Sequence, residues 1–324
     1  MILKPYSALL KQEWNKFVAE SKNATFLFDR DFMDYHSDRF EDCSLVFEDK
    51  GRILACLPAN VDRERMQIVS HGGLTYGGVL MSEKITMVQV MEIFSLSAGY
   101  FKEEYGAERW LYKPIPYIYC SYPAQEDLYA LFRMGAVLES RGVSSAIQLP
   151  GRLQMSTGRL QCVKKAQKEG LVISESSEFL PFWDLLNNVL VSNHGVAPVH
   201  TSSELNALMS RFPQNIRLFV VKNNNNQMVA GSLVFDMGKT VHTQYMASSE
   251  EGKRKGALDF LIHHLVTSVF ADREYFDFGI STENGGRYLN EGLIFQKEGF
   301  GGRAVCYDCY SVDLLGCGFK IQKT

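Results

Sequence analysis

IRLFVVKNNNNQMVAGSLVFDMGKTVHTQYMA, residues 216–247, contains three apolar strands separated by two turns. The run NNNNQ at 223–227 turns the chain, because asparagine tolerates left-handed backbone and its side chain satisfies turn hydrogen bonds. Met237-Gly238-Lys239 makes the second turn, so 216–222, 228–236 and 240–247 form a meander. Further on, Ala257, Leu258, Leu261, Ile262, Leu265, Val266 and Val269 recur at intervals of three and four, which predicts a helix over 252–270 with one buried stripe. A strand over 274–280 contains Asp277-Phe278-Gly279, a second helix falls within 285–298, and a long strand over 303–314 follows. GLIFQKEGFGG, residues 292–302, sets Lys297 in a glycine-rich turn just ahead of that last strand, where its side chain can reach a cleft.

The first half repeats this order. A hairpin over 44–48 and 52–60, a helix over 84–105, a strand over 109–113, a helix over 127–134 stopped by Gly135, and a long strand over 136–149 match the second half element for element. The matching elements lie roughly 170 residues apart, so a tandem duplication accounts for both halves. The predicted division is 1–150 and 151–324, the second including a linker over 151–212 with helices at 154–169 and 181–192. The linker's loop NHGVAPVHTSS, 193–203, is long enough to be a functional candidate.

With 324 residues and 46% hydrophobic content, the chain can bury sizeable cores. No stretch is long and apolar enough for a membrane span, and the N-terminus lacks a signal peptide's basic and apolar blocks, so a cytoplasmic protein is expected. A net charge of −3 speaks against coating DNA or RNA. The local stripe Arg152, Arg159, Lys164, Lys165 and Lys168 reads as a solvated helix face, against a surface for one ligand such as RNA. Seven dispersed cysteines give no disulfide framework. Cys306 and Cys309 form a CxxC without a second ligand pair, so core cysteines and no metal are expected.

Taken in order, HGGLTYGGVL at 71–80, QYMASSEEGKRKGALDFLIHHL at 244–265, FDFG at 276–279 and KEGFGG at 297–302 resemble the FemABX peptidyltransferases and the FemAB-like branch of the GNAT acyltransferases. The resemblance covers nearly the whole chain. It implies an α+β fold of two tandem GNAT-like domains, each a mixed, mostly antiparallel sheet flanked by helices, with a substrate cleft between them. It also implies an N-acyltransferase that moves an acetyl or aminoacyl group to the amine of an amino sugar, amino acid or cell-envelope precursor. The donor would be acyl-coenzyme A, such as acetyl-coenzyme A, with aminoacyl-tRNA as the alternative. The first domain would serve the acceptor, and the second the donor and the catalytic lysine.

Two departures stand out. The segment matching the GNAT pyrophosphate loop, Lys253, Arg254, Lys255, Gly256 and Ala257, has one glycine and is followed by Leu258 where a small residue is usual. Gln296 precedes Lys297 where the cell-wall enzymes carry an aromatic residue. The coiled-coil arm that some of those enzymes use for tRNA is missing, which weakens tRNA as a partner.

Acyl transfer needs a neutral amine, donors aimed at the oxyanion and a proton path. Lys297 is the candidate for the oxyanion, against a surface lysine at a turn. Tyr245 is a candidate donor to the acyl oxygen or leaving group, against a core tyrosine. Asp277 either orients or deprotonates the acceptor, or caps a helix. His194 and His200 are the histidines with base potential, against exposed bystanders. On the acceptor side stand Arg30, His36, His71, Tyr76 and Gly77, with glycine N–H groups offered to a phosphate or carboxylate, against a bulged hairpin. The competing function is a non-catalytic GNAT-like module that binds a nucleotide-sugar or peptide.

Overall fold

The computed structural model describes residues 1–194 and 201–316, and the chain divides into two compact units. The second is Val143–Glu283 with Tyr288–Val305. Its meander forms as predicted, with Ile216–Lys222, Met228–Asp236 and Thr240–Ser248 pairing antiparallel. Val172–Ser176 adds a strand on one side, antiparallel to Ile216–Lys222. The short, polar run VISES hides this strand in a segment expected to hold only helices. On the other side Tyr275–Ile280 runs parallel to Thr240–Ser248 and antiparallel to residues 144–148 of the strand Val137–Gln148.

The helix expected over 252–270 comes in three pieces. Glu250–Lys255 and Ala257–His264 meet at Gly256, which is left-handed with φ 73°. A Cβ there would lie 2.6 Å from the Cys162 carbonyl oxygen, so close packing and backbone both require glycine. Leu265–Val269 is a π turn, closed by the Phe270 N–H on the Leu265 carbonyl at 2.9 Å. The predicted stripe is real: Ala257, Leu261, Ile262, Leu265 and Val266 are buried in a core with Phe219, Val234, Phe276 and Phe300.

The first unit is Met1–Gly142 with Asn284–Arg287 and Cys306–Thr324. One antiparallel sheet runs Ile2–Pro5, Leu45–Asp49, Arg52–Leu57, Leu80–Met81. In another, Arg109–Tyr112 is parallel to Gln67–Val69 and antiparallel to the end of Arg303–Asp313. The Met87–Tyr105 helix starts at a Thr86/Gln89 capping box, three residues after the predicted start, and stops at left-handed Gly106. Phe94, Phe101, Trp110 and Tyr112 pack with ring centroids 5.2–5.5 Å apart, contacts worth about 0.5–1.5 kcal/mol each beyond their buried area.

Each unit holds a strand from the other half of the sequence. Residues 144–148 pair with Tyr275–Ile280, and Tyr310–Asp313 pair with Arg109–Tyr112. Hydrophobic periodicity locates strands but does not say which neighbour they choose. Among the described residues, no helix is long and apolar enough to cross a membrane and no group of side chains could hold a metal ion. Cys309 is half-buried and Cys306 exposed, so the pair is not the core feature expected from its apolar neighbours.

Candidate functional site

In the second unit the parallel register of Thr240–Ser248 with Tyr275–Ile280 sets His242 opposite Asp277. Asp277 is fully buried, and its Oδ1 accepts from the Ser144 hydroxyl. Its Oδ2 lies 2.7 Å from His242 Nδ1. A buried carboxylate at that distance favours the tautomer with the proton on Nδ1, which makes Nε2 the basic nitrogen of the neutral ring. Asp277 lies inside the strand Tyr275–Ile280 with no exposed surface, rather than at the sheet edge expected for it. His242 escaped the sequence reading because its place is set by a strand pairing remote in sequence.

The same strand carries a bulge. Its register against residues 144–148 shifts between Asp277 and Ile280, and Gly279 takes φ 75°. At the bulge the Gly279 and Ile280 carbonyls both accept from Lys297 Nζ, at 2.8 and 2.9 Å. A Cβ on Gly279 would come 3.2 Å from His242 Cε1, so the glycine also leaves room for the ring.

Lys297 itself departs from expectation. It lies within the helix Glu291–Gly299, capped by the Asn290 side chain on the Leu293 N–H, and it is 3% exposed. Its glycine neighbours mark the end of this helix rather than a turn around the lysine. Burial lowers its pKa to about 8, against the opposing charge of Asp277. An ammonium has three N–H donors, two of which meet carbonyls here.

A cavity of about 470 Å³ lies against the same helix. It is bounded by Met246–Ser248, by Gly252 and Lys253, by Leu258 and Asp259, and by Gly292, Phe295 and Gln296. Both residues that depart from the family pattern, Leu258 and Gln296, therefore line it. Arg159 also lines it, its Nη1 on Asp259 at 2.8 Å.

The basic segment differs from a loop that opens a helix. Lys253, Arg254 and Lys255 complete the Glu250–Lys255 helix, Gly256 links it to the next, and Ala257 is buried. The Lys253 and Gly256 N–H groups already bond the Ser249 and Lys253 carbonyls. Lys253 pairs with Glu250 at 2.7 Å, and Lys255 with Glu251 at 3.0 Å.

Tyr245 is half-buried on Thr240–Ser248, where a bulge skips Gln244, and its ring is edge-on to Trp183 at 6.2 Å. His194 ends the helix Phe179–His194, and its side chain lies outside the described residues, as do the His36 side chain and all of His200.

The first unit treats its candidates as parts of a packed core. Arg30 is 1% exposed, with its guanidinium 3.4 Å from the Tyr6 ring centre, 4.0 Å from that of Trp14 and 2.8 Å from Asp42. Tyr76 packs on Tyr119 at 4.7 Å and on Tyr307 at 6.2 Å. Two of the glycine N–H groups are engaged: Gly72 bonds Asn60 Oδ1 at 2.6 Å and Gly77 the Lys113 carbonyl at 2.9 Å. A Cβ on Gly77 would sit 2.0 Å from the Ser70 oxygen, which no side chain could accommodate. At His71 the backbone is left-handed, φ 55°, and its carbonyl, with that of Leu74, accepts from Lys113 Nζ. Lys113 was not singled out in the sequence, although it too has its pKa lowered to about 8 by burial.

Residues 160–288 match the family model described as an acetyltransferase (GNAT) domain. The fold is similar to that of FemX, with a TM-score of 0.67 at 12% identity, covering 95% of this chain and 97% of that one. It is also similar to L-PGS from Bacillus licheniformis, with a TM-score of 0.61 at 13% identity, covering 92% and 90%. A tandem GNAT protein from the clavulanic acid biosynthesis pathway, solved without AcCoA, follows at 0.51 and 11%, covering 97% and 98%. No curated protein matches the sequence at a significant level. The fold is a FemABX-like GNAT fold, and the match to the acetyltransferase (GNAT) domain extends over residues 160–288.

Proposed function

We propose that this protein transfers an acyl group from an activated donor to a primary amine of an amino sugar, amino acid or cell-envelope precursor. The observation that carries this is Lys297, held on the bulge carbonyls of Gly279 and Ile280 on the strand where Asp277 holds His242. His242 Nε2 takes the proton as the amine nitrogen bonds to the acyl carbon. The charged Lys297 turns its remaining N–H to the oxyanion. The bond from acyl carbon to the leaving sulfur or oxygen then breaks, and the histidine returns its proton to the leaving group.

The 470 Å³ cavity suits the donor because it borders the lysine-bearing helix and carries Arg159 and Lys253 for phosphate groups. Arg254 and Lys255 add positive charge nearby, while Gly256 and Ala257 fix the shape of the segment. Tyr245 and His194 are kept as second-rank catalytic candidates, and Arg30, His71, Tyr76 and Gly77 as residues that shape the acceptor side in 1–150. Residues 151–324 carry the donor and the catalytic lysine in this scheme. Acyl-coenzyme A is the first donor to test and aminoacyl-tRNA the second. A tandem GNAT protein solved without AcCoA is among the structural neighbours, which supports putting the coenzyme A donor first.

The test is calorimetric titration with acetyl-coenzyme A and with charged tRNA, followed by an amine-acceptor screen using whichever donor binds. Expected are donor binding, release of free thiol or deacylated tRNA with an amine, and loss of that release in Lys297→Ala. Binding of neither donor, with binding of a nucleotide-sugar or peptide instead, would establish the non-catalytic module.

A further inference from the structure

A second cavity, of about 570 Å³, is lined by the 151–155 segment and by the end of the Ala257–His264 helix with the π turn after it. It shares no lining residue with the 470 Å³ cavity. Its walls include Met155, Leu160, Val266 and Phe300, and its charged or titratable groups are Arg152 and His263. No acidic residue among the described residues lines it. Burial, with the Arg152 charge and His264 adding to it, holds His263 below its ordinary pKa and leaves Arg152 as the cation.

Two features mark this cavity as built. The π turn brings Val266 and Thr267 to its wall by a backbone arrangement that proteins seldom use and that recurs at functional sites. The 151–155 segment is clipped in place by the Ser156 N–H on the Gly299 carbonyl at 2.8 Å. The volume falls in the ~300–1,000 Å³ range of small-molecule sites. Arg152 is exposed at its edge, whereas Met155, Val266 and Phe300 are buried. A fitting ligand is therefore anionic at one end and aliphatic along its length.

We propose that this cavity binds a medium-chain aliphatic monocarboxylate, with the carboxylate on Arg152 and the chain along Met155, Leu160, Val266 and Phe300. Its occupant touches the residue that joins it to the other site. Phe300 lies under the Arg159 guanidinium at 4.6 Å, and its N–H bonds the Lys297 carbonyl at 3.2 Å.

The test is calorimetry on the intact protein with decanoate, and with 1-decanol as its uncharged counterpart. Expected are saturable one-to-one binding of decanoate and clearly weaker binding of decanol. Arg152→Gln and Leu153→Asp, both at exposed positions, should each weaken decanoate by roughly tenfold. Phe295→Asp, at the rim of the other cavity, should change it by less than about twofold. No saturable binding below the micelle concentration, equal affinity for decanol, or loss in Phe295→Asp but not in Arg152→Gln would each overturn the proposal.

Discussion

Lys113 in the first unit and Lys297 in the second each donate to two backbone carbonyls, and burial lowers both pKa values to about 8. Their surroundings differ. The carbonyls around Lys113 belong to the 71–78 loop, and the titratable group beside it is the half-buried Cys309, whose thiol burial keeps protonated by pushing its pKa up. Those around Lys297 come from a bulged strand that also carries Asp277 and faces His242. A buried lysine held by carbonyls alone acts as a tether. In the proposed mechanism the lysine near a carboxylate and a histidine serves proton and oxyanion chemistry instead.

The sharpest way to break this contrast is to remove each charge while keeping the bulk. Lys297→Met should lower turnover by about 10²–10³-fold with the fold intact, whereas Lys113→Met should leave turnover within a few-fold. Lys113→Met should instead lower stability by about 1–3 kcal/mol in urea unfolding, since two carbonyls lose their donor. Equal losses of turnover in both would erase the distinction. His242→Gln should cost about 10²–10⁴-fold in kcat with little change in KM, and Asp277→Asn a similar loss through the wrong tautomer. Unchanged kcat in both would remove the base from the mechanism.

The pH dependence separates the two lysines next. Turnover should fall as pH rises through about 8, because Lys297 loses the proton that stabilises the oxyanion, and this limb should be unmoved in Lys113→Met. Stability should move the other way. Both folded pKa values lie below the ordinary 10.5, so the unfolded chain binds more protons between about 8 and 10.5. The burial penalty on each ammonium is full below 8 and relieved above it, so urea midpoints should rise across that window and rise less in either Met variant. The smallest effect is expected at Gly279→Ala. Its positive φ should cost about 1–2 kcal/mol, and its methyl group should press on the His242 ring, lowering kcat more than stability would explain.

The meander at 216–248 was legible because its alternation and its asparagine turn act locally. So was the buried stripe of the helix after it. Gly256 divided that helix because of a carbonyl on Cys162, a neighbour that no local pattern reveals. Lys297 and Asp277 were singled out in the sequence, but their settings were not foreseen. The glycines around Lys297 suggested a turn, whereas the Asn290 cap starts a helix. His242 and Lys113 were invisible because one depends on parallel register and the other on a loop folding back over a strand end. Arg30, offered as an acceptor-side residue, packs against two aromatic rings and pairs with Asp42 through Nη1, contacts that no local pattern reveals.

The strand exchange between the halves sets an order on synthesis. The unit whose chain leaves the ribosome first cannot close its sheet beside Arg109–Tyr112 until Tyr310–Asp313, roughly 200 residues downstream, has emerged. Meanwhile the strand that bears Asp277 finds residues 144–148, and the Ser144 hydroxyl with them, already made. The half begun first is therefore finished last, with an unpaired strand edge exposed while the rest of the chain is made.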